Sequence, residues 1–426
     1  MQEIINRITR RFERESSLSD DLAMDIIVKT AFEFPEFAKL SIEEQDILIK
    51  KIFYKTRRKL GILEPLIDDE DISEVMVNGP ENIFFEKNGK VQRYNLSFDS
   101  TFELEEVMRS IASDVHREIN ELNPIVDARL KDGSRVNGVF KNIAVNGPAL
   151  TIRKFSDKYM TMDNLVENGT IPENGAILLK TLVECGYNIF VSGGTSSGKT
   201  TMLNALAEAV PKEERVIVIE DSMELKLGYI DNIVHMECRN ANSQGKGQIS
   251  MADLIKSSLR MRPNRIIVGE VRGKEVVDML SAMNSGHSGS MSTGHGNSVR
   301  GMLRRLESMY LMGVNLNVDA IRGQIAEAID IMVHIEKMNN GKRCVTEIDE
   351  LVGYEKGEFV LNPLMSLNDQ GELEKTVRYI NNTRKLQLKG DQQIERLQEI
   401  DFITKRMDYF HPYASGDWDD DGLFLL

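Results

Sequence analysis

Residues 193–200 read GGTSSGKT, and the fold of the whole chain follows from what surrounds them. The stretch is a complete match to G-x-x-x-x-G-K-[ST]. The apolar run YNIFV precedes it at 187–191 and the amphipathic segment TTMLNALAEAV follows at 200–210, which predicts a strand, a phosphate-binding loop and a helix in succession. Glycine allows backbone N–H groups to converge on phosphate oxygens, and the helix N-terminus adds a positive dipole end. Lys199 is then placed to reach the β- and γ-phosphates, and Thr200 to ligate Mg²⁺. The predicted nucleotide-binding residues are Gly193, Gly194, Thr195, Ser196, Ser197, Gly198, Lys199, Thr200 and Thr201. A Gly/Ser-rich loop that matches by accident is the plain alternative, and the flanking strand and helix argue against it.

Outward from the loop, the apolar runs NIFVS, RVIVI, NIVHM, RIIVG and IMVHI recur between helical segments. That alternation predicts a largely parallel sheet covered on both faces, in a domain over residues 171–355. Two of the runs end in acids. RVIVIEDSMEL supplies Glu220, Asp221 and Glu224, and RIIVGEVRG supplies Glu270, preceded by Gly269 where an aspartate is the commoner residue. Each carboxylate alone reads as a loop acid or helix cap. Several at strand ends after a phosphate loop read as the metal and water side of a hydrolase, because Mg²⁺ is held by one or two carboxylates and keeps several waters.

Upstream, residues 61–155 change to short strands and turns, a compact α+β domain. Asn88-Gly89 in NIFFEKNGKVQRY and Asp132-Gly133 in VDARLKDGSRVNGVF each predict a tight hairpin with positive φ at both turn residues. FELEEVMRSIASDV lies between them as a helix. Residues 1–60 have helical periodicity, and INRITRRFERE reads as a solvated face on a small helical bundle rather than as a contact for acidic lipid. Residues 156–170 are polar and irregular, predicting an interdomain linker. Residues 356–426 read as a charged helical region ending in the acidic tail DWDDDGLFLL.

With 426 residues and 41% hydrophobic content, the chain can bury a sizeable core in two or three domains. Its net charge of −14 argues against a chain-wide nucleic-acid footprint. Cys185, Cys238 and Cys344 are scattered, which predicts a reducing compartment and no disulfide framework. No run has the length of a spanning helix and no signal peptide is evident, so a cytoplasmic chain is expected.

The segment NSGHSGSMSTGHGNS at 284–298 holds two of six histidines, His287 and His295, among small residues with no apolar wall for a core. Together with GGTSSGKT, VIVIEDSMEL and LRMRPNRIIVGEVRG, in that order, it resembles the secretion ATPase superfamily of type II and type IV secretion systems and type IV pili. That family calls these segments Walker A, Asp box, Walker B and His box. The histidine spacing, with ISEVMVNGPENIFFEKNGK, NPIVDARLKDGSRVNGV and ALTIRKF, is more similar to the CpaF-like ATPases of tight-adherence (Flp) pili. Gly296 stands where relatives are expected to carry alanine.

The resemblance implies a RecA-like P-loop ATPase domain behind a smaller N-terminal α+β domain, using ATP and Mg²⁺. It implies that Glu224 polarises the attacking water, that Glu270 holds the Mg²⁺ shell with Thr200, and that Arg135 and Arg153 reach the phosphates from the N-terminal domain. Arg129 and Arg260 are weaker candidates, and any of these arginines alone could be a surface ion pair. His287 and His295 are expected to sense the γ-phosphate region; zinc binding would need two further ligands that the spacing does not suggest. The implied assembly is a homohexameric ring at the cytoplasmic face of the inner membrane. It would act on platform proteins of a pilus or secretion machine, without direct nucleic-acid contact, and associate with the membrane through those partners. A DNA-transfer ATPase of type IV secretion shares every motif, and a nucleotide-regulated scaffold with little turnover is the rival from another class.

Overall fold

The computed structural model describes residues 2–404 except 14–17, 116, 155–159, 240, 242–244 and 339. The acidic tail and the first part of the expected linker lie outside the described residues. The chain divides into two compact units, residues 1–158 with 242–246, and residues 159–241 with 247–426.

In the first unit, helices Gln2–Phe12, Asp20–Ala31 and Ile42–Arg57 share a small core of Ile4, Ile8, Ala23, Ile27 and Ile52. Ser19 and Ser41 cap the second and third through their hydroxyls, and Glu44 closes a capping box with Ser41. Arg11 of the first helix is half-buried and reaches the second, donating to the buried Thr30 at 2.7 Å and to Glu33 at 2.8 Å.

The same unit holds a six-stranded antiparallel sheet built from β1 (Ile72–Asn78), β2 (Ile83–Lys87), β3 (Lys90–Arg93), β4 (Ile125–Arg129), β5 (Arg135–Val139) and β6 (Ala149–Arg153). The spatial order is β3-β2-β1-β6-β5-β4. Val75, Val126, Val136 and Ile152 share one core with Leu104, Met108 and Ile111 of helix Thr101–Asp114. The β2–β3 turn has φ 52° at Asn88 and 74° at Gly89, the tight hairpin expected. The second hairpin differs. Only Gly133 has positive φ, at 89°. Asp132 instead accepts from Ser134 N at 3.0 Å and Ser134 Oγ at 2.7 Å, a side-chain turn within a longer loop.

The second unit is a nine-stranded sheet of β7 (Ile189–Gly193), β8 (Val216–Glu220), β9 (Ile233–Glu237), β10 (Arg265–Val268), β11 (Met291–His295), β12 (Ile331–Lys337), β13 (Arg343–Glu355), β14 (Glu358–Leu367) and β15 (Leu373–Lys375). The order is β15-β14-β13-β12-β7-β11-β10-β8-β9, with β12 through β9 parallel and β13 to β15 added antiparallel. Strand β7, which leads into GGTSSGKT, therefore lies in the middle, with its core residues wholly buried. One face packs on helices Glu173–Glu184 and Lys199–Ala207, the other on Met251–Ser258, Val276–Asn284, Val299–Leu311 and Val318–Ala328.

Three expectations change here. Residues 162–167 of the expected linker form a helix capped by Thr161, and Met162 and Leu165 are buried in the core of the second unit. Its polar outer residues hid two apolar anchors. The sheet does not stop at residue 355: β14 and β15 extend it, and Leu386, Ile394, Leu397 and Phe402 of the following segment join its core. Finally, the small residues of MSTGH, expected to have no apolar wall around them, form a central strand with Met291 to Gly294 buried between β7 and β10. A Cβ on Gly294 would meet Met302 Cε at 2.8 Å and Phe190 Cζ at 3.0 Å, so close packing excludes the larger side chains that usually mark a buried strand.

Candidate active site

The phosphate loop forms as its residue types require. Gly198 has φ 100° and precedes helix Lys199–Ala207, whose first-turn N–H groups point back into the loop. A Cβ on Gly193 would overlap Ile335 O and come within 2.5 Å of Ser197 Oγ, so glycine is needed where β7 turns away. Ser196 accepts a positive φ of 57°. Lys199, only 7% exposed, donates to Gly194 O at 2.8 Å. Its ammonium thus closes back over the concavity that its neighbours' N–H groups surround.

The acids separate into different roles. Glu220, at the end of β8, is buried and accepts from Glu224 N at 3.0 Å and Leu225 N at 3.2 Å. It fixes the turn that presents Asp221 and Glu224. The same side chain explains Gly269: a Cβ there would lie 2.8 Å from Glu220 Cγ, so the aspartate common at this position is sterically excluded. The neighbouring strand consequently ends in Gly-Glu, which leaves Glu270 as its strand-end carboxylate.

Glu270 is at the centre of a charged chain. Arg272 Nη2 donates to its Oε2 at 2.8 Å, and Arg272 Nη1 lies 3.7 Å from Asp221 Oδ2. Arg272 was not singled out by spacing; its place in GEVRG, two residues past a strand-end glutamate, is the signal that could have found it. The hydrogen bond to Glu270 raises the guanidinium's pKa above its ordinary value, and Glu224 adds to this through its charge.

His295 Nε2 lies 2.8 Å from Glu270 Oε1, and Lys199 Nζ lies 3.3 Å from His295 Nδ1. A lysine ammonium has no lone pair, so Nδ1 accepts and Nε2 carries the proton of a neutral ring. Burial lowers the imidazole pKa, opposed by Glu270 and helped by Lys199, Arg272 and Arg305. Although close, the ring N–H is not aligned on Glu270 Oε1, which with Ser197 Oγ is a buried oxygen without a hydrogen-bond partner among the described residues. Orphaned carboxylate and hydroxyl oxygens beside the phosphate loop suit a hard, oxygen-seeking cation, and Mg²⁺ fits Glu270 and Ser197 on those grounds; Thr200 is a candidate holder from its place in the loop motif alone.

His287 is not in this constellation. The parallel register pairs His295 with Gly193 at one edge of the sheet. His287 precedes the start of β11 at the opposite edge, where Gly289 N donates to Asn188 Oδ1 at 2.8 Å and Ser290 Oγ donates to His287 O at 2.7 Å. Its ring Nδ1 lies 3.2 Å from Ala282 O and 3.3 Å from Ser285 Oγ. The strand itself runs roughly 13 Å from Met291 to His295, and His287 lies four residues before its start. Gly296, after His295, has a reason to lack a side chain: its Cβ would press on Met302 Cβ at 3.0 Å.

Within the first unit, Arg135 and Arg153 are direct cross-strand partners on β5 and β6, and Arg129 is the partner of Arg135 on β4. Directly opposed residues share a face, so three arginines form a row across neighbouring strands. Like charges in that arrangement are unfavourable unless an anion or acid offsets them, and Glu74, opposite Arg153 on β1, is one such acid. Arg260 follows helix Met251–Ser258 and is exposed at the edge of the sheet opposite the phosphate loop, before β10 begins.

Behind the phosphate loop lies a polar network that sequence spacing did not reveal. Ser192, the residue before Gly193, is 2.8 Å from His334 Nδ1 on β12. Burial lowers the His334 pKa, while Glu347 and Glu336 oppose the shift. Glu347, opposite His334 on β13, accepts from Val299 N at 3.2 Å at the start of helix Val299–Leu311. The network connects the strand before the loop to the helix that follows His295.

The chain is 33% identical over 298 residues to the conjugal transfer protein TrbB of Rhizobium radiobacter, covering 69% of this chain and 88% of that one. It is 42% identical over 254 residues to an uncharacterized protein of Methanocaldococcus jannaschii, a match of 57% of this chain but only 35% of that protein's length. Among solved structures, the pilus retraction motor PilT with bound ADP shares the fold, with a TM-score of 0.51 and 19% identity over 81% of this chain and 90% of PilT. Residues 56–351 match the family described as Type II/IV secretion system protein. With the phosphate loop, the strand-end glutamate and His295 gathered at one edge of a RecA-like sheet, the chain belongs to the type II/IV secretion system family and is an ATPase of that family.

Proposed function

We propose that this ATPase hydrolyses ATP with Mg²⁺ as a homohexameric ring and powers pilus assembly or protein secretion across a cell envelope. The observation that carries the reading is the chain Lys199–His295–Glu270, which joins the phosphate-gripping ammonium to the metal-side carboxylate through one neutral imidazole. Lys199 neutralises charge on the transferring phosphoryl group, Glu270 and Thr200 hold Mg²⁺, and Glu224 polarises the attacking water. The paired arginines of the N-terminal sheet, Arg135 and Arg153, supply further positive charge to the phosphates when the ring closes.

The finer assignment is a CpaF-like motor of a tight-adherence pilus, supported by the eight-residue spacing of His287 and His295. It would work on inner-membrane platform proteins from the cytoplasmic side; among the described residues no helix is long and apolar enough to cross a membrane. The similarity to a conjugal transfer protein favours a second reading, a motor of a DNA-transfer machine. A net charge of −14 weighs against direct nucleic-acid contact in either case.

Phosphate release measured with and without Mg²⁺, alongside light scattering of the protein with a non-hydrolysable ATP analogue, tests the reading. Mg²⁺-dependent turnover that rises with ring formation is expected. A nucleotide-bound monomer without turnover would instead favour the scaffold.

A further inference from the structure

Arg343 opens β13, 147 residues beyond the phosphate loop in sequence, and its Nε donates to Ser196 O at 3.1 Å. Its Cδ is 3.3 Å from where a Cβ on Gly198 would stand, so the stem of the side chain lies along the loop. Among the described residues, no carboxylate bonds or pairs with its two terminal nitrogens. Two features locate the guanidinium relative to a bound nucleotide. First, it bonds a carbonyl of the loop, whereas phosphates are held by loop N–H groups, so it stands outside the phosphate concavity. Second, strand order places it across β7 from the reacting end: Lys199 leans toward His295 on β11, while Arg343 belongs to β13, beyond β12 on the other side.

Resting on the ATP-site reading above, we propose that Arg343 is a nucleoside-contacting residue whose guanidinium plane packs on the purine base of the bound nucleotide. The guanidinium is planar, weakly hydrated and suited to stacking on an aromatic face, and the Nε bond to Ser196 O holds that plane in place. Gly198 serves the same contact, because any side chain there would displace the arginine stem. The phosphates are held by one set of groups and the base by another, on opposite sides of the loop.

Titration calorimetry of the full chain with Mg²⁺ and ATP, ADP or inorganic tripolyphosphate separates this role from simple bracing of the loop. R343A is expected to weaken ATP and ADP about tenfold, within the range of a cation–aromatic contact, and to leave tripolyphosphate within about twofold of wild type. R343K, which keeps the charge but not the plane, is expected to recover only part of the loss. Melting curves on both variants check that the fold is retained; Arg343 is exposed, so little change is expected. Equal weakening of all three ligands, or no weakening of any, overturns the base contact while leaving the ATP site intact. Failure of the wild type to bind any of the three overturns the ATP site and this inference with it.

Discussion

His295 Nε2 stands 2.8 Å from Glu270 Oε1 while its other ring nitrogen faces Lys199 at 3.3 Å, so one imidazole touches both the ammonium and the carboxylate of the site. His287 has no share in that contact, lying before the start of that strand at the opposite edge of the sheet. The two histidines should therefore behave differently. H295A is expected to lower kcat by about 100-fold, the scale of losing one preorganised polar group, with ATP affinity changed only modestly. H287A should leave ATP binding and kcat within about threefold. Steady-state kinetics on both variants decide it, and equal losses would return His287 to the chemical step.

Lys199→Ala should abolish phosphate release, because it removes the main cation at the transferring phosphoryl group. Glu224→Gln should bind ATP with near-normal affinity and turn over far more slowly. Rapid-quench measurement of one turnover distinguishes them from a release defect. Full turnover in the glutamine variant would remove Glu224 from the role of water activator.

Gly269 is held to glycine by the Glu220 side chain that packs against it. Restoring the commoner aspartate, G269D, should displace the Glu220 side chain, whose Cγ would be 2.8 Å from the new Cβ. The turn held by Glu220 would then lose its hydrogen bonds to Glu224 N and Leu225 N. A stability loss on the order of 2 kcal/mol in denaturant melts is expected, with lower kcat because Glu224 moves. An unchanged variant would show that the turn does not depend on Glu220.

Asp349 on β13 is buried, and burial with the neighbouring Glu347 charge raises its pKa to about 7, Arg300 opposing. A carboxyl raised above its unfolded value of 3.8 keeps its proton in the native state after the unfolded chain has lost it. Its contribution is thus complete below pH 3.8 and disappears as pH rises through about 7. D349N removes this titration. Its melting temperature relative to wild type should climb between pH 4 and pH 7 and level off above, with a gain on the order of 4 kcal/mol at the plateau. A pH-independent difference would show that Asp349 stays ionised in the fold.

The buried Met162 and Leu165 set where the second unit begins. A chain started at Tyr159 should fold and bind nucleotide, whereas one started at Ile171 should be less stable by roughly 2–5 kcal/mol, since it loses two well-packed apolar side chains. Urea melts of both compare them directly, and equal midpoints would make residues 162–167 dispensable.

What the sequence by itself determined was local. The glycines and lysine of GGTSSGKT, the apolar runs around them, the Asn88-Gly89 turn and the capping serines each act through neighbours within a few residues, where propensity and backbone freedom decide the outcome. Lys199, Glu270 and the family resemblance were legible for that reason. Tertiary structure decided the rest, because it depends on strand pairing across long separations. MSTGH has no strand signature, and only the space between Phe190 and Met302 makes small residues right for a central strand. That strand carries His295 to the phosphate loop and leaves His287 at the opposite edge, a division that their common motif conceals. Gly269 answers to Glu220 and Ser196 to Arg343, partners 49 and 147 residues away, whose contacts arise only when β8, β10, β7 and β13 take their places in one sheet.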